Sequence, residues 1–159
     1  RVSIAAYSNQ HVHFKSFISK RAKGKIIGYQ SGFIPIYNPN LKTQKKNVYL
    51  VGDAATHVKA TTYGGIVQGL MAAEELARSY SSFGNYEKMW KRRIGKDLLI
   101  GLMIRRKLNF FSDKDYNRLI EMVKKEDVKR LIEFYDRDFP SKMVLRLLIK
   151  EPRFLRFLI

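Results

Sequence analysis

The stretch "NVYLVGDAATHVKATTYGGIVQGLMAAEELA", residues 47–77, constrains the possible fold of this chain more than any other. "NVYLVGD" places consecutive strand-formers between Asn47 and Gly52, the pattern of a strand buried on both faces, as in a parallel sheet. Asp53, at the end of that strand, is the first carboxylate in the chain. In open α/β folds the carboxyl edge of the sheet is where ligands bind, and a carboxylate there can accept two hydrogen bonds from a polyol or a ribose. From Tyr63 the period becomes helical, with Ile66, Leu70, Ala73 and Ala77 on one face, joined by Val67 and Met71. Gly64 and Gly65 open this helix without a Cβ, so a flat ring or a phosphate can approach the amides at the positive end of the helix dipole. Thr61 or Thr62 is placed to cap it through a hydroxyl. Gly69, one turn further on, lets the helix lie close to the strand.

A strand of that kind needs neighbours on both sides, and a strand followed by a helix needs a further parallel strand for the crossover. None follows Asp53, so the expected partners lie upstream of Arg1 and the chain reads as a piece of a larger α/β protein. Ahead of the motif, "RVSIAAYS" reads as a short strand and "NQHVHFKSFISKRAKG" as a helix capped by Gly24. "KIIGYQSGFIPIYNP" reads as an edge strand entering a turn, and "NLKTQKK" as an exposed basic connector. After the motif, "SSFGN" breaks the helix. A longer helix runs from Tyr86 to about Leu108 with Trp90, Ile94, Leu98 and Leu102 on its apolar stripe. Ser112 and Asp115 form a capping box for the next helix. "EDVKRLIEFYDRDF" makes another, Pro140 punctuates, and "SKMVLRLLIKEPRFLRFLI" follows. The expected organisation is the end of a substrate/catalytic domain and its sheet over 1–46, a strand-loop-helix unit over 47–80, and a helical region over 81–159.

Lys and Arg number 31 against 14 acids in 159 residues, a net charge of +17. The excess is uneven, since residues 1–52 hold nine basic residues and no Asp or Glu. Such a surface attracts polyanions, whether nucleic acid, anionic lipid headgroups or phosphorylated substrates, although high charge also serves solubility alone. The absence of cysteine excludes a disulfide framework and thiolate metal sites. No apolar run is long enough to span a bilayer, so a soluble or peripheral protein is expected, in the cytoplasm or on the inner face of the membrane.

"LVGDAATHVKATTYGGIVQGLMAAEELA" resembles the second flavin-binding motif of the geranylgeranyl reductase family, within the larger group of flavoprotein monooxygenase-like enzymes. "SGFIPIYNP" is similar to the segment that precedes this strand in the family, and "NYEKMWKRRIGKDL" and "LNFFSDKDYNRLIEMV" are similar to its helical C-terminal region. The resemblance implies the last strand-loop-helix of a Rossmann-like FAD-binding domain. It implies FAD contacts from Gly52, Asp53 and Ala54 at the strand end and from Thr62, Tyr63, Gly64, Gly65 and Ile66 at the helix start. Asp53 would bind the ribityl chain, and the amides around Gly64 and Gly65 would face the pyrimidine edge of the flavin. Two positions depart from the family: Ala60 replaces a proline, which loosens the loop, and Tyr63 replaces the first glycine, which narrows the pocket. The first dinucleotide fingerprint of the family is missing. FAD binding would therefore need an N-terminal segment from the same gene or a companion chain. The implied substrate is an isoprenoid lipid or a prenyl diphosphate, and no nucleic-acid partner is expected.

His11, His13 and His57 lack accompanying cysteine or acidic ligands and read as ordinary polar residues rather than a metal site. His57 lies on the candidate loop, where a proton-donor role is conceivable. Glu74 and Glu75 are expected in solvent. The tail from Met143 alternates apolar residues with Arg146, Lys150, Arg153 and Arg156. Such a segment either lies on a membrane interface or packs its apolar face on its own domain, and core packing is the commoner use of an apolar stripe. Two other functions fit parts of the pattern: a hydroxylating flavin monooxygenase, and a basic helical module for nucleic acid, which has no recognisable motif here.

Overall fold

The computed structural model describes residues 4–6, 8–21, 23–136 and 138–157. The chain divides into two units, Arg1–Phe33 and Ile34–Ile159. In the first, α1 (Gln10–Arg21) forms where helical spacing predicts it, with no buried residue. The Phe14 ring meets Tyr29 edge-on at 6.2 Å. Gly24, three residues beyond the helix end, has φ 121°. The strand expected over 1–8 falls partly outside the described residues, and Ile4, Ala5 and Ala6 take no regular structure. Residues 25–38 also form no strand, against expectation, because no described segment pairs with their backbone.

The second unit is mostly helical with one small sheet. β1 (Gln44–Lys45) and β2 (Val48–Tyr49) pair antiparallel, with Gln44 opposite Tyr49. The polar connector "NLKTQKK" thus supplies a strand instead of a free loop, and "NVYLV" is not a strand buried on both faces. Val48 is 64% exposed. Among the described residues only β1 flanks β2, and beyond it the Leu50 N–H donates to the Thr43 carbonyl at 2.9 Å. The Leu50 carbonyl is taken by the Tyr86 hydroxyl at 2.8 Å and not by another strand.

The main core follows from the stripe that the sequence predicts. Residues 86–108 run as α3 (Tyr86–Trp90), a π-helical turn (Lys91–Gly95) and α4 (Lys96–Leu108), and Trp90, Ile94, Leu98 and Leu102 are all buried. They pack with Tyr37, Ala60, Ala72 and Tyr86. Burial pushes the Tyr86 phenol up to about 12. The buried Trp90 indole donates to the Thr43 hydroxyl at 2.7 Å, which ties this helix to the hairpin. Thr43→Val leaves that N–H without its partner and is expected to cost about 1–2 kcal/mol in urea unfolding. A loss below about 0.5 kcal/mol would show that the bond adds nothing net.

α2 (Ile66–Ser82) reverses its predicted orientation. Its buried residues are Gln68, Ala72, Glu75 and Ser79, while Ile66 and Leu70 are 81% and 66% exposed. The polar face turns inward because Arg93, on the π-helical turn, meets it: its guanidinium lies 2.7 Å from Glu75 and 2.6 Å from Glu74. Glu75 is therefore a buried, ion-paired residue and not a solvated one. Of the apolar stripe of α2, Ile66, Val67 and Leu70 are exposed, while Met71 packs against the main core.

A second core joins α5 (Asp113–Val123), α6 (Glu126–Phe134), α7 (Pro140–Lys150) and a 3-10 turn (Pro152–Phe157) through Met122, Val128, Leu147 and Phe154. The predicted capping box is present: the Asp115 N–H donates to the Ser112 hydroxyl, and the Ser112 N–H donates to the Asp115 carboxylate. Pro140 starts α7, the position where a missing N–H costs nothing. The Ser141 N–H donates to Asp97 at 2.8 Å and fastens α7 to α4. Leu147 packs inward with Met143 and Leu148, as the core reading of the tail expects, yet Leu145 and Ile149 are 60% and 65% exposed.

Candidate functional site

The backbone after β2 stays extended at Val51 and then turns sharply. Gly52 has φ 65° and starts a 3-10 turn (Gly52–Ala55) that ends at Thr56 with φ 56°. α2 crosses this turn closely, because a Cβ on Gly69 would lie 3.3 Å from the Gly52 Cα. The close approach predicted for Gly69 is thus present, as a crossing of two glycines.

That crossing brings the start of α2 beside the turn. A Cβ on Gly65 would lie 3.1 Å from Asp53 Oδ1, 3.1 Å from the Val58 side chain and 3.2 Å from the His57 carbonyl. Asp53 and Gly65 are therefore close neighbours, and a side chain at 65 would crowd the carboxylate. Asp53 and Ala54 are exposed, and the Asp53 carboxylate has no hydrogen-bond partner among the described residues. A free carboxylate at this position can accept from hydroxyl groups of a ligand.

Between these two points the chain makes a tight loop. The Lys59 N–H donates to the Gly64 carbonyl at 2.9 Å, and the Tyr63 N–H donates to the Lys59 carbonyl at 2.8 Å. Tyr63 has φ 59°, so the helix cannot begin there and starts at Ile66 with Gly65 as its N-cap. Thr61 and Thr62 sit in the turn, and no side chain caps the helix. The capping role expected of a threonine is thereby corrected. The amides of the first helical turn have no intrahelical acceptor, and here they open beside the Asp53 carboxylate. Ile66, 81% exposed, turns its side chain to solvent.

Two residues outside the motif hold this loop, and sequence reasoning missed both. Arg105 on α4 donates to the carbonyls of Ala60 at 2.8 Å and Thr61 at 2.9 Å, and its guanidinium lies over the Tyr63 ring at 5.1 Å. Lys59 pairs with Asp138, whose carbonyl also accepts from Gln68. Ala60 is buried and its carbonyl is held, so this position does not loosen the loop. No local signal marks Arg105 among the many cations of α4, since its acceptors are backbone atoms more than forty residues away.

His57 corrects another expectation. Its ring is fully buried against Trp90 at 4.4 Å, and neither ring nitrogen has a hydrogen-bond partner among the described residues. Burial lowers its pKa to about 4, so the imidazole is neutral near pH 7. A side chain so enclosed has no access for donating a proton to a ligand.

Several curated proteins are similar to this chain. A digeranylgeranylglycerophospholipid reductase of Methanothrix thermoacetophila is 31% identical over 129 residues, 74% of this chain and 33% of the relative. Digeranylgeranylglycerophospholipid reductase 2 of Methanothermobacter thermautotrophicus is 31% identical over 146 residues, 84% of this chain and 36% of the relative. The reductase of the same name from Methanococcus vannielii is 30% identical over 142 residues, 82% of this chain and 34% of the relative. The chain spans about a third of the length of these relatives. No protein-family model matches it, and no solved structure matches it at a significant level.

Proposed function

Because the chain belongs to the geranylgeranyl reductase family, matching a C-terminal portion of it, we propose that it forms part of a flavin-dependent reductase. The substrate would be an isoprenoid glycerophospholipid of the archaeal type, or its prenyl diphosphate precursor, and the reaction would saturate isoprenoid double bonds. In this reading residues 47–80 are the last strand-loop-helix of a Rossmann-like domain whose other strands come from elsewhere in the protein.

The observation that carries the cofactor reading is the contact between Asp53 and Gly65. It sets an unpaired carboxylate next to the uncapped start of a helix, one a hydroxyl acceptor and the other a row of N–H donors. FAD would suit that set of groups: Asp53 would hold its ribityl hydroxyls, and the amides of Gly64, Gly65 and Ile66 would hold the pyrimidine edge of its ring. When bound, FAD supplies the reducing equivalents for the double bond. The chain's own part is to orient the ring and to offer the positive end of α2 where negative charge develops on reduction. Gly52 and Ala54 shape the turn that presents Asp53, and the Tyr63 ring, fixed under Arg105, borders the same loop with Thr62.

Asp53→Ala in the full-length protein is expected to raise the dissociation constant for FAD about tenfold, as for one lost hydrogen bond to a charged group. Flavin absorbance after desalting reads this directly, and unchanged flavin content would overturn the assignment of Asp53. Anaerobic turnover of a prenyl lipid separates reduction from hydroxylation, because only hydroxylation requires oxygen.

A further inference from the structure

α7 presents two unlike surfaces to water at once. At about 100° per residue, its exposed positions 142, 145, 146, 149 and 150 fall within one arc of about 140°. Leu145 and Ile149 occupy one edge of the arc and are 60% and 65% exposed. Lys142, Arg146 and Lys150 fill the rest. The opposite side of the helix carries Met143, Leu147 and Leu148 into the second core, so core packing does not account for the outward leucine and isoleucine.

We propose that this arc is a docking surface for an anionic lipid bilayer, with α7 lying in the plane of the interface. Charge complementarity identifies the occupant. Residues 140–157 hold five Lys or Arg and a single acid, Glu151. That acid is already engaged by Lys125 at 2.9 Å and Arg153 at 2.5 Å. Lys142 and Arg146 form no ion pair among the described residues, and only Lys150 is shared, with Asp127 at 3.7 Å. A phosphate-bearing interface meets both halves of the arc: headgroups pair with the cations and the acyl boundary receives Leu145 and Ile149. Nucleic acid would use the cations and leave the apolar pair in water. The arc lies on the membrane and does not enter it, since no helix among the described residues is long and apolar enough to cross one. The inference does not rest on the cofactor reading, and it gives an enzyme of lipid chains a reason to sit at their surface.

The test is co-sedimentation of the full-length protein with vesicles of phosphatidylcholine alone and of phosphatidylcholine mixed with phosphatidylglycerol. Binding is expected on the mixed vesicles, weak on the neutral ones and reduced by salt. The double variant K142Q/R146Q is expected to weaken binding to the mixed vesicles by about tenfold or more, and L145S/I149S by about tenfold. Both pairs are exposed, so melting temperatures should stay unchanged. Equal binding by all three proteins would overturn the proposal. So would variants that alter the oligomeric state while vesicle binding is constant, because the arc would then be a protein interface. Turnover of detergent-dispersed substrate reports on the proposed reaction separately, and both variants should retain it.

Discussion

Trp90→Ala is expected to lower the unfolding free energy by about 3–5 kcal/mol, the range for removing a large aromatic side chain from a core. Trp90 is 1% exposed and touches three separate parts of the fold. It meets Tyr37 edge-on at 6.5 Å, packs against the tilted His57 ring at 4.4 Å, and donates to Thr43 at 2.7 Å. Its loss opens a cavity between the hairpin, the motif and α3, and leaves the Thr43 hydroxyl with its Glu87 contact at 3.4 Å alone. Urea unfolding followed by far-ultraviolet circular dichroism measures the effect without relying on tryptophan fluorescence, because Trp90 is the only tryptophan. Trp90→Phe keeps part of the packing and should fall between wild type and alanine. A loss below about 1 kcal/mol for the alanine variant would mean that the three contacts are not holding the core together.

Mild acid should destabilise the fold through His57. Its folded pKa is lowered to about 4 from the ordinary 6.5, because the buried imidazole resists charge. Between those values the unfolded chain binds a proton that the folded chain does not, so stability falls as pH falls. At about 1.4 kcal/mol per unit, the full loss is roughly 3 kcal/mol, complete near pH 4 and absent above about pH 6.5. Glu74, Glu87, Asp115 and Glu151 have lowered pKa values, so their contributions are lost only in the acid range of carboxylates. Unfolding midpoints taken from about pH 7 down to about pH 4.5 isolate the histidine. His57→Leu should flatten the dependence in that window, and a slope that survives the substitution would assign it to another group.

What was legible in the sequence was what local pattern determines. Trp90, Ile94, Leu98 and Leu102 repeat every four residues and are buried as that spacing requires. The capping box at Ser112 needs only its own turn. Gly69 could be assigned to a close crossing because only a glycine tolerates one, and Gly52 proved to be its counterpart. The orientation of α2 was not legible. Its apolar residues share a face, but a face shows which side seeks cover and not which side receives it within this chain; Arg93 drew Glu75 inward instead. β1 was hidden for a related reason, since two residues within a basic connector become a strand only through pairing with Val48 and Tyr49. In the candidate site, Asp53 and the glycines were readable as motif. Lys59, Arg105 and Asp138 were not, because an ordinary cation becomes a clamp only once distant backbone is folded beside it.

Those clamps set an order of events for the growing chain. Arg105 reaches back 45 and 44 residues to Ala60 and Thr61, and Asp138 reaches back 79 residues to Lys59. At about 5–20 residues per second of synthesis, about 4–16 s separate the appearance of Lys59 from that of Asp138. The loop that carries Tyr63, Gly64 and Gly65 must wait through that interval, and closing it also requires the entropy of a long chain segment to be overcome. The motif is written as one stretch, and its loop is fully held only after Asp138 has been made.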